Sequence, residues 1–263
     1  MQKEWQYFLL AIGFFTRIPV PDFAHFHESD LNHSAKYFPL VGIIVGLAGA
    51  VFFYVASLFF PQAIAVLISM AATIYLTGAF HEDGLADSAD GIGGGWEREQ
   101  ILTIMQDSRL GTYGAVALFL MLMAKFQTLN SFNPMFIPLT LIAGHALSRW
   151  WAVLLMFTSN YAKPAGKAKP LATKLNSRDF FIATAFGLFP FLILCIRAMS
   201  KHSPFILVKF VFLSTIPCLV AWLWWRAKLN KNLGGYTGDT LGAIQQITEL
   251  AFYLGVLVWS TQL

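Results

Sequence analysis

The stretch HEDGLADSADGIGGG, residues 81–95, gathers four carboxylates, five glycines and a histidine into fifteen positions. On a helix Asp83, Asp87 and Asp90 fall within about 60° of one another, because steps of four and three residues return to the same face. Three carboxylates then converge, and like charges at this spacing repel. A hard divalent cation offsets them best, and Mg²⁺ suits one or two carboxylates completed by water and substrate phosphate. Clustered Cys is absent and only one His stands nearby, which argues against zinc. Glu82 points about 100° away from its neighbour, so it is either an outlying ligand or on a different face. The plain structural alternative is a solvated acidic helix face.

Gly84 and Gly91 adjoin Asp83 and Asp90 and suit the close approach of a backbone or a phosphate; Gly93, Gly94 and Gly95 read as a mobile turn ending the helix. In EREQILTIMQ, Ile101, Ile104 and Met105 share one face, the pattern of a short amphipathic helix lying on a membrane. MQDSRLGTYG, residues 105–114, then offers Asp107 to complete a metal shell or act as base, and Arg109 as a planar fork of donors for phosphate. In GGYTGDTLGA, residues 234–243, Thr237 or Asp239 is placed to cap a helix whose exposed amides, at Gly238 and its neighbours, attract phosphate. Asp239 is also a candidate for contact with the substrate. His145 and Arg149 are one turn apart inside an apolar stretch, as are Gln245 and Glu249, and ionisable groups in such stretches are functional by default. Arg149 either reaches a substrate phosphate or pairs with Glu249. Arg17 and His81 border the membrane on the same side and read as a snorkelling arginine and a surface histidine, with recruitment to the site as the alternative.

The elements that position these groups are membrane spans. The chain has 263 residues, 57% hydrophobic and only 12% charged, with a mean hydropathy of +0.60. Apolar stretches at 40–60, 63–80, 112–130, 135–158, 180–199, 205–225 and 241–261 approach or reach the roughly 20 residues that cross a bilayer as helix. The expected fold is all-α: a polytopic helical membrane protein of about seven transmembrane helices, forming a single integral domain over 1–263. The run Trp5–Phe15 is short for a span and reads as an additional interfacial or re-entrant helix, without the charged start and cleavage site of a signal peptide. Cys195 and Cys218 fall in spans and read as small core residues.

Lys and Arg set the orientation. Lys36, Arg98, Arg109, Lys163, Lys167, Lys169, Lys174, Arg178, Arg226, Lys228 and Lys231 share one side, against Lys125, Arg197, Lys201 and Lys209 on the other. The positive-inside rule then places segment 81–111 in the cytoplasm, in the inner membrane of a bacterium. The net charge of +4 reflects anionic headgroups or an anionic substrate more than nucleic acid. The lysines of 163–174 read as lipid-facing charges or as grips on a nucleotide. A homo-oligomer is allowed but not required.

HEDGLADSADG followed by MQDSRLGTYG, with PLVG at 39–42 and GGYTGDTLGA at 234–243, resembles the cobalamin synthase family, the adenosylcobinamide-GDP ribazoletransferases. FFTRIPVP (14–21), YFPLVG (37–42) and YAKPAG (161–166) carry the resemblance over nearly the whole chain. It implies a Mg²⁺-dependent membrane enzyme that joins adenosylcobinamide-GDP to α-ribazole or its 5′-phosphate and releases GMP. Asp83, Asp87 and Asp90, with Asp107, would hold the metal against the diphosphate, and Asp90 or Asp107 would take the hydroxyl proton. Two positions depart from the family pattern: Glu82 stands where a hydrophobic residue is commoner, which puts Glu82 in doubt as a ligand, and Lys163 stands where arginine is. Rival readings fit less well. A CDP-alcohol phosphotransferase needs Ala-Arg after its first Asp-Gly, whereas Ala86 precedes Asp87; a prenyl-diphosphate transferase carries two acidic motifs, not one. A cation transporter would spread its acids through the spans of both halves.

Overall fold

The computed structural model describes residues 2–21, 28–162, 175–199 and 204–261. Among these the fold is all-helical, with one isolated parallel bridge, Tyr161 to Tyr236, as the only extended pairing. Lys163, Lys167, Lys169, Lys174, Lys201 and most of YAKPAG lie outside the described residues. Helices α1 (Gln2–Phe15) and α2 (Glu28–Ser34) lead through a 3-10 turn, Ala35–Tyr37, into α3 (Phe38–Ser57) and α4 (Gln62–Thr77). There follow α5 (Phe80–Gly94), α6 (Arg98–Ile104), α7 (Thr112–Asn130), α8 (Ile137–Thr158), α9 (Ser177–Met199), α10 (Pro204–Asn232) and α11 (Gly238–Ser260).

Six described helices are long and apolar enough to cross a membrane, and α4 with α5, bent by 85° at their junction, make a seventh where the pair is counted as one span. All seven stretches expected from hydropathy are therefore helices. At 14 residues, α1 extends about 21 Å, shorter than a crossing. The core joins α3 to α8 in antiparallel contact. There Gly42 lies so close to the His145 carbonyl that any Cβ would overlap it, the close backbone approach that small residues permit between membrane helices. Cys195 and Cys218 are buried free thiols, as expected.

The break between α4 and α5 comes from two successive left-handed residues, Gly78 (φ 64°) and Ala79 (φ 58°). Glycine takes that conformation freely, whereas alanine is held there at a cost of about 1–2 kcal/mol. The bend is buttressed from outside, where the backbone N–H of Arg17 donates to the Leu76 carbonyl and the Arg17 guanidinium sits over the Tyr75 ring. The turn drives α5 back among the helices. Segment 81–111 is thus not simply an extramembrane segment: His81 is 3% exposed, and the first turns of α5 pack against α11.

Two charge assignments also change. Lys125 is not a flanking charge, because it lies 5% exposed inside α7 and its Nζ donates to Glu249 Oε1 at 2.8 Å and to Gln246 Oε1 at 2.7 Å. Of the two roles open to Arg149, the pair with Glu249 is not formed: Lys125 takes that place, with His145 Nδ1 3.2 Å from the other Glu249 oxygen. Lys36 is likewise buried, between Glu4 and Asp179, and ties α1 to the start of α9. Removing one partner of a buried ion pair typically costs about 3 kcal/mol or more, because the other charge is left uncompensated. Lys125→Met should accordingly destabilise the protein by about that amount in thermal unfolding, and Lys125→Met/Glu249→Leu should recover most of the loss. Simple additivity of the two substitutions would refute the pairing.

Candidate active site

The four carboxylates of α5 go to three different places. Glu82 turns inward, its Oε1 accepting from Gln246 Nε2 at 3.1 Å while Oε2 is buried without a hydrogen-bond partner. Asp90, 9% exposed, accepts from the Gly111 amide at 2.8 Å and the Gly114 amide at 2.9 Å, so its carboxylate anchors the N-terminus of α7. Asp83 is exposed and Asp87, one turn on, is half-buried. Among the described residues no three of His, Cys, Asp and Glu are gathered to hold a metal ion.

The acids expected to converge on one ion are not gathered at one point among the described residues. Glu82 lies on another face, Asp90 is committed to two backbone amides, and Asp107 is held by Arg109. Asp83 and Asp87 stand at i and i+4, the first exposed and the second half-buried. That donor set fits an open Mg²⁺ site, completed by water and phosphate oxygens, and does not fit a closed protein cage.

The loop of Asp107 and Arg109 is pinned to α5 from both sides. Asp90 holds its far end at Gly111, and α6 packs back so that Met105 and Ile101 fill the space over Gly91. Gly91 is thereby closed to a phosphate, and α6 rests on α5 through Ile101 and Met105. Gly84 is closed in the same way, since a Cβ there would lie 2.7 Å from the Asp239 carbonyl oxygen. The expected turn at Gly93–Gly95 is also shorter, because α5 runs on to Gly94. Within the loop, Arg109 donates to both oxygens of Asp107, at 2.6–3.1 Å, and is itself 87% exposed. The guanidinium holds the Asp107 carboxyl down at about 2, and the carboxylate pushes the arginine up in return.

The packing at Gly84 brings the backbone of Asp239, at the start of α11, against α5. Thr237, not Asp239, is the N-cap, in a reciprocal capping box with Thr240. Asp239 accepts from the Thr237 hydroxyl at 3.3 Å. Gly238 shares a cavity of about 20 Å³, room for one water, with Arg149, His81 and Gln245. Arg149 is 2% exposed; its Nη1 donates to the His145 carbonyl at 3.0 Å, and its Nε has no hydrogen-bond partner. A buried guanidinium with an unused donor beside a helix N-terminus is suited to an anion.

Sequence reading missed two contributors. His81 is no surface histidine, for it stacks on Phe15 and faces that cavity. Arg98 does more than bias orientation: its side chain donates to the Leu233 carbonyl at 3.0 Å and to the Ala162 carbonyl, joining α6 to the segments that flank α8 and α11. Neither carried a periodic signal, since each role depends on residues more than sixty positions away.

Two outcomes test this geometry. Asp90→Asn should lower the unfolding free energy by about 1–3 kcal/mol, the cost of poorly satisfied buried amides, while leaving Mg²⁺ affinity in place. Lost affinity at unchanged stability would contradict the anchoring role. The Asp107–Arg109 pair has a depressed folded-state carboxyl, so its contribution is complete above the ordinary value of 3.8 and disappears as pH falls towards about 2. In Arg109→Ala the Asp107 carboxyl should titrate near 3.8 by carbon-detected NMR; a value still near 2 would show that the arginine is not the cause.

Comparison with known proteins converges on one family. The family model described as cobalamin-5-phosphate synthase matches residues 7–257. An adenosylcobinamide-GDP ribazoletransferase of Shewanella frigidimarina is 44% identical, covering 97% of this chain and 95% of its own length. Proteins of the same name from Shewanella amazonensis (41%) and Ralstonia pickettii (42%) are each covered over 98% of both chains. No solved structure matches. With a family model spanning nearly all of its length and relatives above 40% identity, this chain belongs to the cobalamin-5-phosphate synthase family.

Proposed function

We propose that the protein is a membrane transferase that joins adenosylcobinamide-GDP to α-ribazole or its 5′-phosphate, giving adenosylcobalamin or its 5′-phosphate and releasing GMP. The observation that carries this reading is the sorting of carboxylates along α5. Asp83 is exposed and Asp87, one turn on, is half-buried, while Glu82 and Asp90 brace the helix. The names of the relatives supply the substrate class.

In the proposed reaction the ribazole hydroxyl oxygen attacks the phosphorus nearer the corrinoid. A new P–O bond forms, the bond to the second phosphate breaks, and GMP leaves with the bridging oxygen. Such transfers ask the protein mainly for positioning and charge neutralisation. Mg²⁺ held by Asp83 and Asp87 would supply neutralisation of the diphosphate. Arg109, on an exposed loop, is placed to turn from Asp107 to a phosphate oxygen. Asp107 then loses the cation that depresses it and becomes the better acceptor for the hydroxyl proton, a role that Asp90 cannot share while it holds two amides. Arg149 and Gly238 offer a second anion contact, with Asp239 at the same helix start.

The same reading puts this end of the bundle at the cytoplasmic face of a bacterial inner membrane, because Arg109, Arg226, Lys228 and Lys231 gather there. Purified protein supplied with both substrates should release GMP only with Mg²⁺. Asp83→Asn and Asp87→Asn should each reduce that release by at least about a thousandfold, with helicity and membrane insertion unchanged. Retained turnover in either variant would remove the metal assignment.

A further inference from the structure

On the face of α5 turned away from Asp83 and Asp87, the bundle has a gap. Spans α7 and α10 have no extended packing against each other; α7 rests on α5 and α11, and α10 rests on α11. The gap is a recess of about 620 Å³ floored by Leu85 and Ile247 and walled by Val116, Ala117 and Trp225. Towards the end of α10 it continues into a second recess of about 700 Å³ that shares Ile92, Gly93, Trp224 and Lys228 with the first. The walls are apolar deep down and become basic and aromatic at the mouth, where Lys228, Lys231, Trp96 and Trp224 stand.

We propose that this crevice between α7 and α10 binds an anionic phospholipid, one acyl chain lying in the recess and the phosphate between Lys228 and Lys231. The gap is lined mainly by apolar side chains, with Ser88 and Thr112 as the hydroxyls among them, so water at bilayer depth finds few partners and a chain fills it better. The mouth fixes the headgroup sign. No carboxylate lines either recess, and neither lysine has an ion-pair partner among the described residues; the Lys228 ammonium lies 5.5 Å above the Trp224 ring. Tryptophan with lysine at a span's end is the composition of a headgroup-level belt, and Trp96 is 93% exposed beside it. The lipid would pack against α5 from behind, opposite its acidic face, and so occupy a structural position distinct from the proposed substrate contacts.

The test uses the full chain in nanodiscs of phosphatidylcholine, with or without phosphatidylglycerol, read by native mass spectrometry after release. Wild type should retain one phosphatidylglycerol per chain in preference to phosphatidylcholine. Lys228→Gln/Lys231→Gln should weaken retention by about tenfold or more, and Lys3→Gln, remote on α1, should not. Ala117→Trp, which fills the deep recess, should abolish retention of either lipid. The lysine pair, being on the surface, keeps the proposal testable if that bulky variant fails to fold. Undiminished retention in the lysine variant, equal retention of the two lipids, or displacement of the lipid by adenosylcobinamide-GDP would overturn the proposal.

Discussion

A fifteen-residue helix with four carboxylates can sit inside an apolar bundle only if those charges are dispersed, because like charges on one face repel and unpaired buried ones are costly. In α5 the dispersal is achieved residue by residue. Glu82 reaches a glutamine and a buried network that contains Lys125, and Asp90 is spent on the amides that begin α7. These two contacts fix how α5 is rotated about its axis. That rotation leaves Asp83 at the accessible face with Asp87 beside it, which is what a shared diphosphate-bound cation requires.

The same rotation explains the glycines. Gly84 admits the start of α11 and Gly91 admits α6, so the residues flanking the acids serve helix contact and bring two other candidate elements within reach. The left-handed pair Gly78–Ala79 makes this placement possible by turning the chain 85° after a helix too short to finish a crossing. Strain at Ala79 persists because Arg17, held to Leu76 and Tyr75, closes the outside of the bend. Anchor, bend and glycine contacts thus act together to present two carboxylates at one end of a membrane bundle.

Much of this was legible in the sequence, and the limits are physical. Hydropathy located the seven apolar helices, since length and apolarity are local properties; it did not show that α4 stops short and turns into α5. Periodicity correctly put Asp83 and Asp87 on one face and Glu82 on another. It could not show that Asp90 is claimed by Gly111 and Gly114, because that bond depends on where the chain returns twenty residues later. Lys125 looked like a flanking charge for the same reason: its partners, Gln246 and Glu249, lie on the last helix. An ionisable residue inside α7 was nonetheless a signal, equal to the one that singled out Glu249 in α11. Arg149 and Gly238 were each singled out as candidates from local features, and the cavity they share appears only in three dimensions.

The central claim is that Asp83 and Asp87, and not the other acids of α5, hold the cation that grips the diphosphate. Calorimetric titration of Mg²⁺ into the protein with adenosylcobinamide-GDP bound tests it most directly. Uptake should persist in Glu82→Gln and vanish in Asp83→Asn. No uptake by the unaltered chain, or equal loss in both variants, would contradict the account.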